Sequence, residues 1–294
     1  MPTPLITSRA NPRVKQLRAA FAGSARLADG LVAIEGETLL REALRSGIDL
    51  KTIFLSESIA APAWLPRNVE TLRLADAVFA AAVDTQSPQG IAALIEPPQW
   101  DLESIITPVR AAARSRAPSP AAPLLMLVAA GLQDPGNLGT LIRSAEAFAA
   151  TAVLTTPGTV SPLNQKALRA SAGSVFRVPV VAVSAADLAS LKSRGIRLLA
   201  AVAPSSAHAV AHKPAKKSSA TATPAASADL TQSCALMIGN EGAGLAPEML
   251  ALADARIAIP TPGAVESLNA AIAGSLLLYE ASRQRVASQL ATST

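Results

Sequence analysis

The sequence predicts an α/β protein, with a parallel sheet covered by helices on both faces and a small α/β domain preceding it. Three observations carry this. Residues 124–128, Leu-Leu-Met-Leu-Val, form a continuous apolar run, as a parallel strand buried on both faces requires. Beyond it, short apolar segments alternate with segments of helical period for the rest of the chain. Glycine-punctuated turns stand where strand gives way to helix, the places where α/β proteins put their chemistry. A length of 294 residues makes two domains the default.

In chain order, residues 7–26 carry Arg9, Arg13, Lys15, Arg18 and Arg26 before the first acidic residue, Asp29. They read as a mobile basic end that either touches phosphates or is simply solvated. A strand is predicted at 31–34. A helix follows at 37–46, with Leu39, Leu40, Ala43 and Leu44 on one face and Gly47 as its stop. A strand at 53–55, a short helix at 75–82 and a strand at 90–95 complete a first domain, 1–97. Residues 98–122, rich in Ala, Pro, Ser and Arg, read as a linker, charged through Arg110, Arg114 and Arg116.

The second domain, 123–294, opens with the strand at 124–128. A helix at 138–149, a strand at 152–154, a helix at 163–172, an extended stretch at 178–183 and a helix at 185–194 follow. Strands at 196–202 and 235–238, a helix at 247–253, a short strand at 256–259 and a long helix at 268–286 complete it. Residues 204–230 break the pattern: Ala, Ser, Thr, Pro and Lys without apolar period predict a disordered surface insertion. His208 and His212 stand four apart there, but no carboxylate or cysteine accompanies them, and no metal site is expected. Lys213, Lys216 and Lys217 of the same stretch read as solvated.

Composition narrows the function classes. A net charge of +5 and a pI near 9.8 fit a polyanionic partner. Aromatic residues make up only 3%, which argues against stacking platforms for single-stranded nucleic acid. The single cysteine, Cys234, lies in an apolar run, excludes an intrachain disulfide and reads as a buried, inert thiol. The first residues lack the apolar core of a secretory signal, and no apolar stretch reaches the ~18 residues of a membrane span. A soluble cytoplasmic protein is the expectation.

Three motifs carry candidate chemistry. In the first, Gln133 to Arg143, Pro135-Gly136 makes a turn and Asn137 stands where a helix cap is needed. Leu138, Leu141, Ile142 and Ala145 share the apolar face of the helix. Arg143, about 140° round from Leu138 at ~100° per residue, points away from it, with Gly139 leaving space beside it. Such an arginine suits a phosphate or a reacting oxygen, and equally an ordinary surface position paired with Glu146. The second motif, Leu236 to Leu245, has glycines at 239, 242 and 244 and an acid, Glu241, after a buried strand. Its spacing matches neither a dinucleotide fingerprint nor a P-loop, so it is either a ligand-hugging loop or a tight structural turn. The third, Ile259 to Asn269, shapes a loop with Pro260, Pro262 and Gly263 and brings Ser267 and Asn269 to the start of the last helix, where Ser267 suits an N-cap.

Taken together, Asn137-x5-Arg143, Gly239-x-Glu241-x2-Gly244 and Ile259-Pro260-x2-Gly263-x3-Ser267-Leu268-Asn269 resemble the three motifs of the SpoU (TrmH) family of RNA ribose 2′-O-methyltransferases, of the SPOUT class. Residues 169–179 look like the family's segment between motifs, and Ile34-Glu35-Gly36 with Ser87-Pro88-Gln89-Gly90 like its N-terminal substrate-binding domain. The resemblance implies a C-terminal trefoil knot and S-adenosyl-L-methionine as cofactor, contacted at Gly239, Ile259 and Leu268. It implies catalysis without metal by Arg143, supported by Asn137, Glu241, Ser267 and Asn269. It also implies a homodimer, for which the small residues Ala270, Ala271, Ala273 and Gly274 offer close helix packing. RNA is the implied substrate, ribosomal RNA before transfer RNA. Thr261 and Ala270-Ala271 depart from the family, which often has Met and Val-Ser there. Two other readings compete: a catalytically idle RNA-binding relative in ribosome assembly, and a small-molecule enzyme on a doubly wound fold.

Overall fold

The computed structural model describes residues 4–22, 27, 30–83, 85–107, 123–204 and 222–292. The basic residues of 108–122, the histidine pair His208 and His212, the lysines at 213, 216 and 217, and Arg26 and Asp29 lie outside the described residues. The chain divides into two compact units, Met1–Gln99 with Ser161–Arg177, and Trp100–Val160 with Val178–Thr294. Residues 161–177, which the sequence reading places in the second domain, thus cluster with the first.

The first unit begins with β1 (Leu5–Ile6), α1 (Pro12–Ala22), β2 (Val32–Glu35) and α2 (Glu37–Arg45). β3 (Leu50–Ser56), β4 (Glu70–Leu74), α3 (Asp76–Ala80) and β5 (Ile91–Ile95) follow. Its sheet runs β1-β4-β3-β5-β2, parallel at β1/β4 and β3/β4 and antiparallel where β5 pairs β3 and β2. The expected mobile basic end is instead largely helical. Val14, Leu17, Ala20 and Phe21, at helical spacing, are buried against Phe54, Leu74 and Phe79. Arg13 pairs with Glu70, and Arg18 Nε donates to the Ala81 carbonyl. An eye drawn to the arginines misses these apolar residues between them.

The second unit contributes α4 (Leu102–Ile106), β6 (Leu125–Ala129), α5 (Pro135–Ala147) and β7 (Ala152–Thr155). α6 (Gln165–Ser171) belongs to the first unit. The second resumes with β8 (Val180–Ala182), α7 (Ala185–Ser193), β9 (Arg197–Ala201), β10 (Thr223–Pro224), β11 (Cys234–Ile238), α8 (Pro247–Leu252), β12 (Ala255–Ala258) and α9 (Ala270–Thr292). The sheet order is β10-β12-β9-β11-β6-β7-β8, with every pairing parallel. One face packs Met126, Val128, Leu198 and Met237 against apolar residues of α4, α7 and α8. The other receives α5 and α9, and a Cβ added at Gly274 would crowd Leu141, Ile238 and Leu127. The predicted parallel sheet with helices on both faces is therefore present.

Several expectations need correction. The 98–122 stretch is not linker throughout: Asp101 caps α4 by accepting from Ser104 N, and Ile106 is buried in the core with Leu102 and Ile105 packed beside it. The 204–230 insertion is not structureless at its C-terminal end. Thr223 and Pro224 pair with Ile257 and Ala258 at the sheet edge, and Ala225 and Leu230 are buried. A proline-containing two-residue edge strand carries no period that could announce it. The small residues of α9 serve this chain's own core, since Ala270 and Ala271 are buried. Among the described residues no helix is long and apolar enough to cross a membrane.

Candidate active site

The sheet of the second unit grows outward from β6 through β7 to β8, whereas β9 lies beyond β11 on the other side. Strand order reverses here, and in such sheets a crevice opens at the carboxyl ends of the strands. A cavity of about 400 Å³ occupies that position. It is lined from the end of β9 (Ala201, Val202), the end of β11 and its loop (Ile238 to Leu245), the end of β12 (Ile257, Ile259), and Thr261, Ser267, Leu268, Ala273 and Leu277. Its volume falls within the range of small-molecule sites.

The loop after β11 owes its shape to two glycines and an asparagine. A Cβ on Gly239 would collide with the backbone of Gly244 and Leu245, so no side chain fits. Gly244 has φ +68°, in the left-handed region. Asn240 exchanges backbone hydrogen bonds with Gly244 at 3.0 and 2.8 Å. Its side-chain Oδ1 accepts from Gly242 N (2.9 Å) and Ala243 N (3.2 Å), and its Nδ2 donates to the Gly131 carbonyl after β6 (3.2 Å). Sequence reasoning did not single out Asn240. Its place between two glycines was the available signal.

The polar candidates separate into three groups. Asn269 Nδ2 donates to Asn137 Oδ1 (3.2 Å), and Asn137 Nδ2 donates to Glu241 Oε1 (2.6 Å), so residues from all three motifs form one hydrogen-bonded chain. Glu241 lies on the cavity wall, which brings that chain to its rim. Ser267 also lines the cavity, as do Gly239, Ile259 and Leu268. Arg143 stands apart: it is exposed, is not on the cavity, and has no hydrogen-bond or ion-pair partner among the described residues.

Two capping expectations are overturned. Asp134 caps α5 by accepting from Asn137 N at 2.8 Å, and the helix starts at Pro135, earlier than predicted. Asn137 is therefore inside the first turn with its amide free for Glu241. At α9 the cap is Asn269, whose Oδ1 accepts from Ala271 N and Ile272 N, so Ser267 is not needed as a cap. Proline cannot donate and is at home at N1, which puts the start of α5 at Pro135 and its cap at Asp134.

α5 and α9 run side by side in the same direction. Asn137 meets Asn269, Ser144 Oγ lies 2.7 Å from Ser275 Oγ, and the Phe148 and Tyr279 rings meet edge to face with centroids 5.7 Å apart. Beyond them α9 exposes Ile272, Leu276 and Tyr279, which with Thr140 and Phe148 border a shallow apolar depression.

The model of the SpoU rRNA methylase family matches residues 124–279, more than half of the chain. The chain belongs to the SpoU rRNA methylase family. An MRM3-like substrate-binding domain model matches residues 11–93. RlmP of Bacillus subtilis, a 23S rRNA (guanosine(2553)-2′-O)-methyltransferase, is 31% identical over 93% of this chain and 97% of its own. The SpoU methyltransferase AviRb of Streptomyces viridochromogenes, solved with AdoMet, superposes with a TM-score of 0.74 at 26% identity, covering 94% of this chain and 100% of that one. An AdoMet-bound rRNA methyltransferase from Sinorhizobium meliloti superposes with a TM-score of 0.75 at 26% identity, covering 96% and 98%. The loop at 239–244, the loop at 259–268 and the first turn of α5 all fall within the matched residues.

Proposed function

We propose that this SpoU protein transfers a methyl group from S-adenosyl-L-methionine to a ribose 2′-hydroxyl of ribosomal RNA. The observation that carries the reading is the cavity at the carboxyl ends of β9, β11 and β12 with the Asn269–Asn137–Glu241 chain on its rim. The lining fits that cofactor. Val202, Ile257, Ile259, Leu268 and Leu277 offer apolar walls for an adenine and for methylene groups, and the turn at 239–244 brings backbone close to a ligand. We assign Gly239, Ile259 and Leu268 to cofactor binding. The C-terminal chain is assigned the family's trefoil knot, and residues 11–93 the substrate-binding role of their matched domain, the substrate here being RNA.

When bound, the cofactor supplies an electrophilic sulfonium methyl. The chain's task is to hold the ribose oxygen in line with it and to favour that oxygen's negative charge. Glu241, fixed through one oxygen by Asn137, has acceptor capacity left for a ribose hydroxyl. Ser267, also on the cavity, can donate. A guanidinium such as that of Arg143 is a poor base and a good stabiliser of an alkoxide. Because Arg143 is off the cavity of its own chain, we assign it to the site of a second protomer. The homodimer would form over the exposed face of Ile272, Leu276 and Tyr279. A cytoplasmic location goes with ribosomal RNA as substrate.

The test is incubation with methyl-labelled S-adenosylmethionine and unmodified ribosomal or transfer RNA, followed by nucleoside analysis. Label in one 2′-O-methylnucleoside of ribosomal RNA, lost in Arg143→Ala, is expected. Tight cofactor binding with no label in any RNA would overturn the reading in favour of an idle RNA-binding relative.

A further inference from the structure

The first unit holds a buried carboxylate that the chemistry above does not use. Glu35, at the end of β2, is only 5% exposed. Both of its oxygens are spent on one loop: Oε2 accepts from Thr85 Oγ1 at 2.8 Å and Oε1 from Gln89 N at 2.9 Å. That loop ends at Gly90, whose φ of +75° and lack of room for a Cβ against Ile59 admit only glycine. Opposite it, Gly36 has φ +95°, and the Gln89 amide, nearest through its Oε1, takes the space that a Cβ there would fill.

The loop itself buries nothing. Gln86, Ser87, Pro88 and Gln89 are all exposed. The side-chain amide of Gln89 has no hydrogen-bond partner among the described residues. Burying a carboxylate costs more than burying an apolar side chain of similar size, and both hydrogen bonds of this one go to the loop. What it maintains is the conformation of an exposed loop and the direction of an unused amide. Fixing a polar group on a rigid support is how a binding site is preorganised.

We propose that Gln89 is a base-reading residue of the RNA substrate and that Glu35 is its positioning residue. A glutamine amide presents a donor and an acceptor side by side, the complement of the N6 and N7 edge of adenine. In RNA such an edge is reachable where the base is unpaired, in a loop or bulge. The ligand is thus an unstacked adenine of looped RNA. This assignment rests on the RNA methyltransferase reading above, and adds to it the place where the first unit tells one RNA from another.

The experiment uses the full chain with saturating S-adenosylmethionine and a ribosomal RNA fragment that the wild type methylates. Gln89→Ala should raise KM for RNA about tenfold, the worth of one lost bidentate contact, with kcat, cofactor affinity and melting temperature unchanged. Replacing single unpaired adenines by guanine should find one position where the wild type loses about the same factor and Gln89→Ala loses none. Glu35→Gln should raise KM less, and adding it to Gln89→Ala should change KM no further, since both act through one contact. An unchanged KM in Gln89→Ala, or a KM effect equal for all RNAs, overturns the proposal while leaving the methyltransferase reading intact. If the wild type methylates no RNA, that reading falls. Filter binding of unmodified ribosomal RNA by wild type and Gln89→Ala then decides the site, and equal affinities overturn it.

Discussion

Two exposed loops of this molecule are each held by a single polar side chain, and they are held differently. In the second unit Asn240 shapes the turn in which it lies, accepting from Gly242 and Ala243 a few residues away. In the first unit Glu35 shapes a loop fifty residues distant, reaching it from another strand. The neutral amide is itself half-buried beneath an exposed turn, whereas the carboxylate is buried and carries a desolvation cost. The difference separates two tasks. The local device builds the wall of a cavity for a small ligand, and the long-range device presents a side chain to something large.

Substitutions can break or sharpen that contrast. The largest effect is expected at the reacting oxygen: Arg143→Ala should lower kcat at least ~100-fold, as loss of one stabilising donor does elsewhere, with cofactor affinity unchanged. Mixing Arg143→Ala with Glu241→Ala protein should restore about a quarter of the activity if each two-fold heterodimer keeps one intact site. No recovery would place Arg143 in its own subunit. Next comes Gly239→Ala, which forces backbone apart in the turn. A destabilisation of about 1–3 kcal/mol by denaturant unfolding, with most cofactor affinity lost by calorimetry, is expected. A smaller effect belongs to Asn240→Asp, which keeps the acceptor for Gly242 and Ala243 but sets an oxygen against the Gly131 carbonyl. Cofactor affinity should fall several-fold, about 1 kcal/mol, while KM for RNA stays fixed, the reverse of the Gln89→Ala pattern.

The smallest effect concerns the first unit's stability toward acid. Hydrogen bonding from Arg45, with Arg177 added, holds the Glu42 carboxyl below its ordinary value despite some desolvation. A carboxyl with a depressed folded-state pKa contributes stability that is present above its unfolded value and fades as pH falls through the folded one. Glu42→Gln should therefore lower the melting temperature at neutral pH and leave it nearly unchanged below the carboxylate range. A loss independent of pH would mean that packing, not charge, is what Glu42 provides.

Much of this was legible in the chain itself. The parallel strands showed as short apolar runs because strands buried on both faces need little else. The second motif was legible because it is a tight local turn in which Gly239 has no room for a Cβ and Gly244 takes a positive φ, while the first and third stand at helix starts. Asp134 was passed over as a cap because Asn137 offered the same chemistry three residues later. α1 was hidden by its arginines, and β10 by being two residues long.

What the sequence determined was therefore local: strand and helix periods, turn chemistry, and a family pattern that named Asn137, Arg143, Glu241, Ser267 and Asn269. Tertiary structure alone decided which of them meet. It joined Asn269, Asn137 and Glu241 across more than a hundred residues and left Arg143 outside. It also tied Glu35 to the loop before Gly90. The physical reason is that a hydrogen bond needs its partners within about 3 Å. No periodicity along the chain records that distance for residues brought together only by the packing of the sheet.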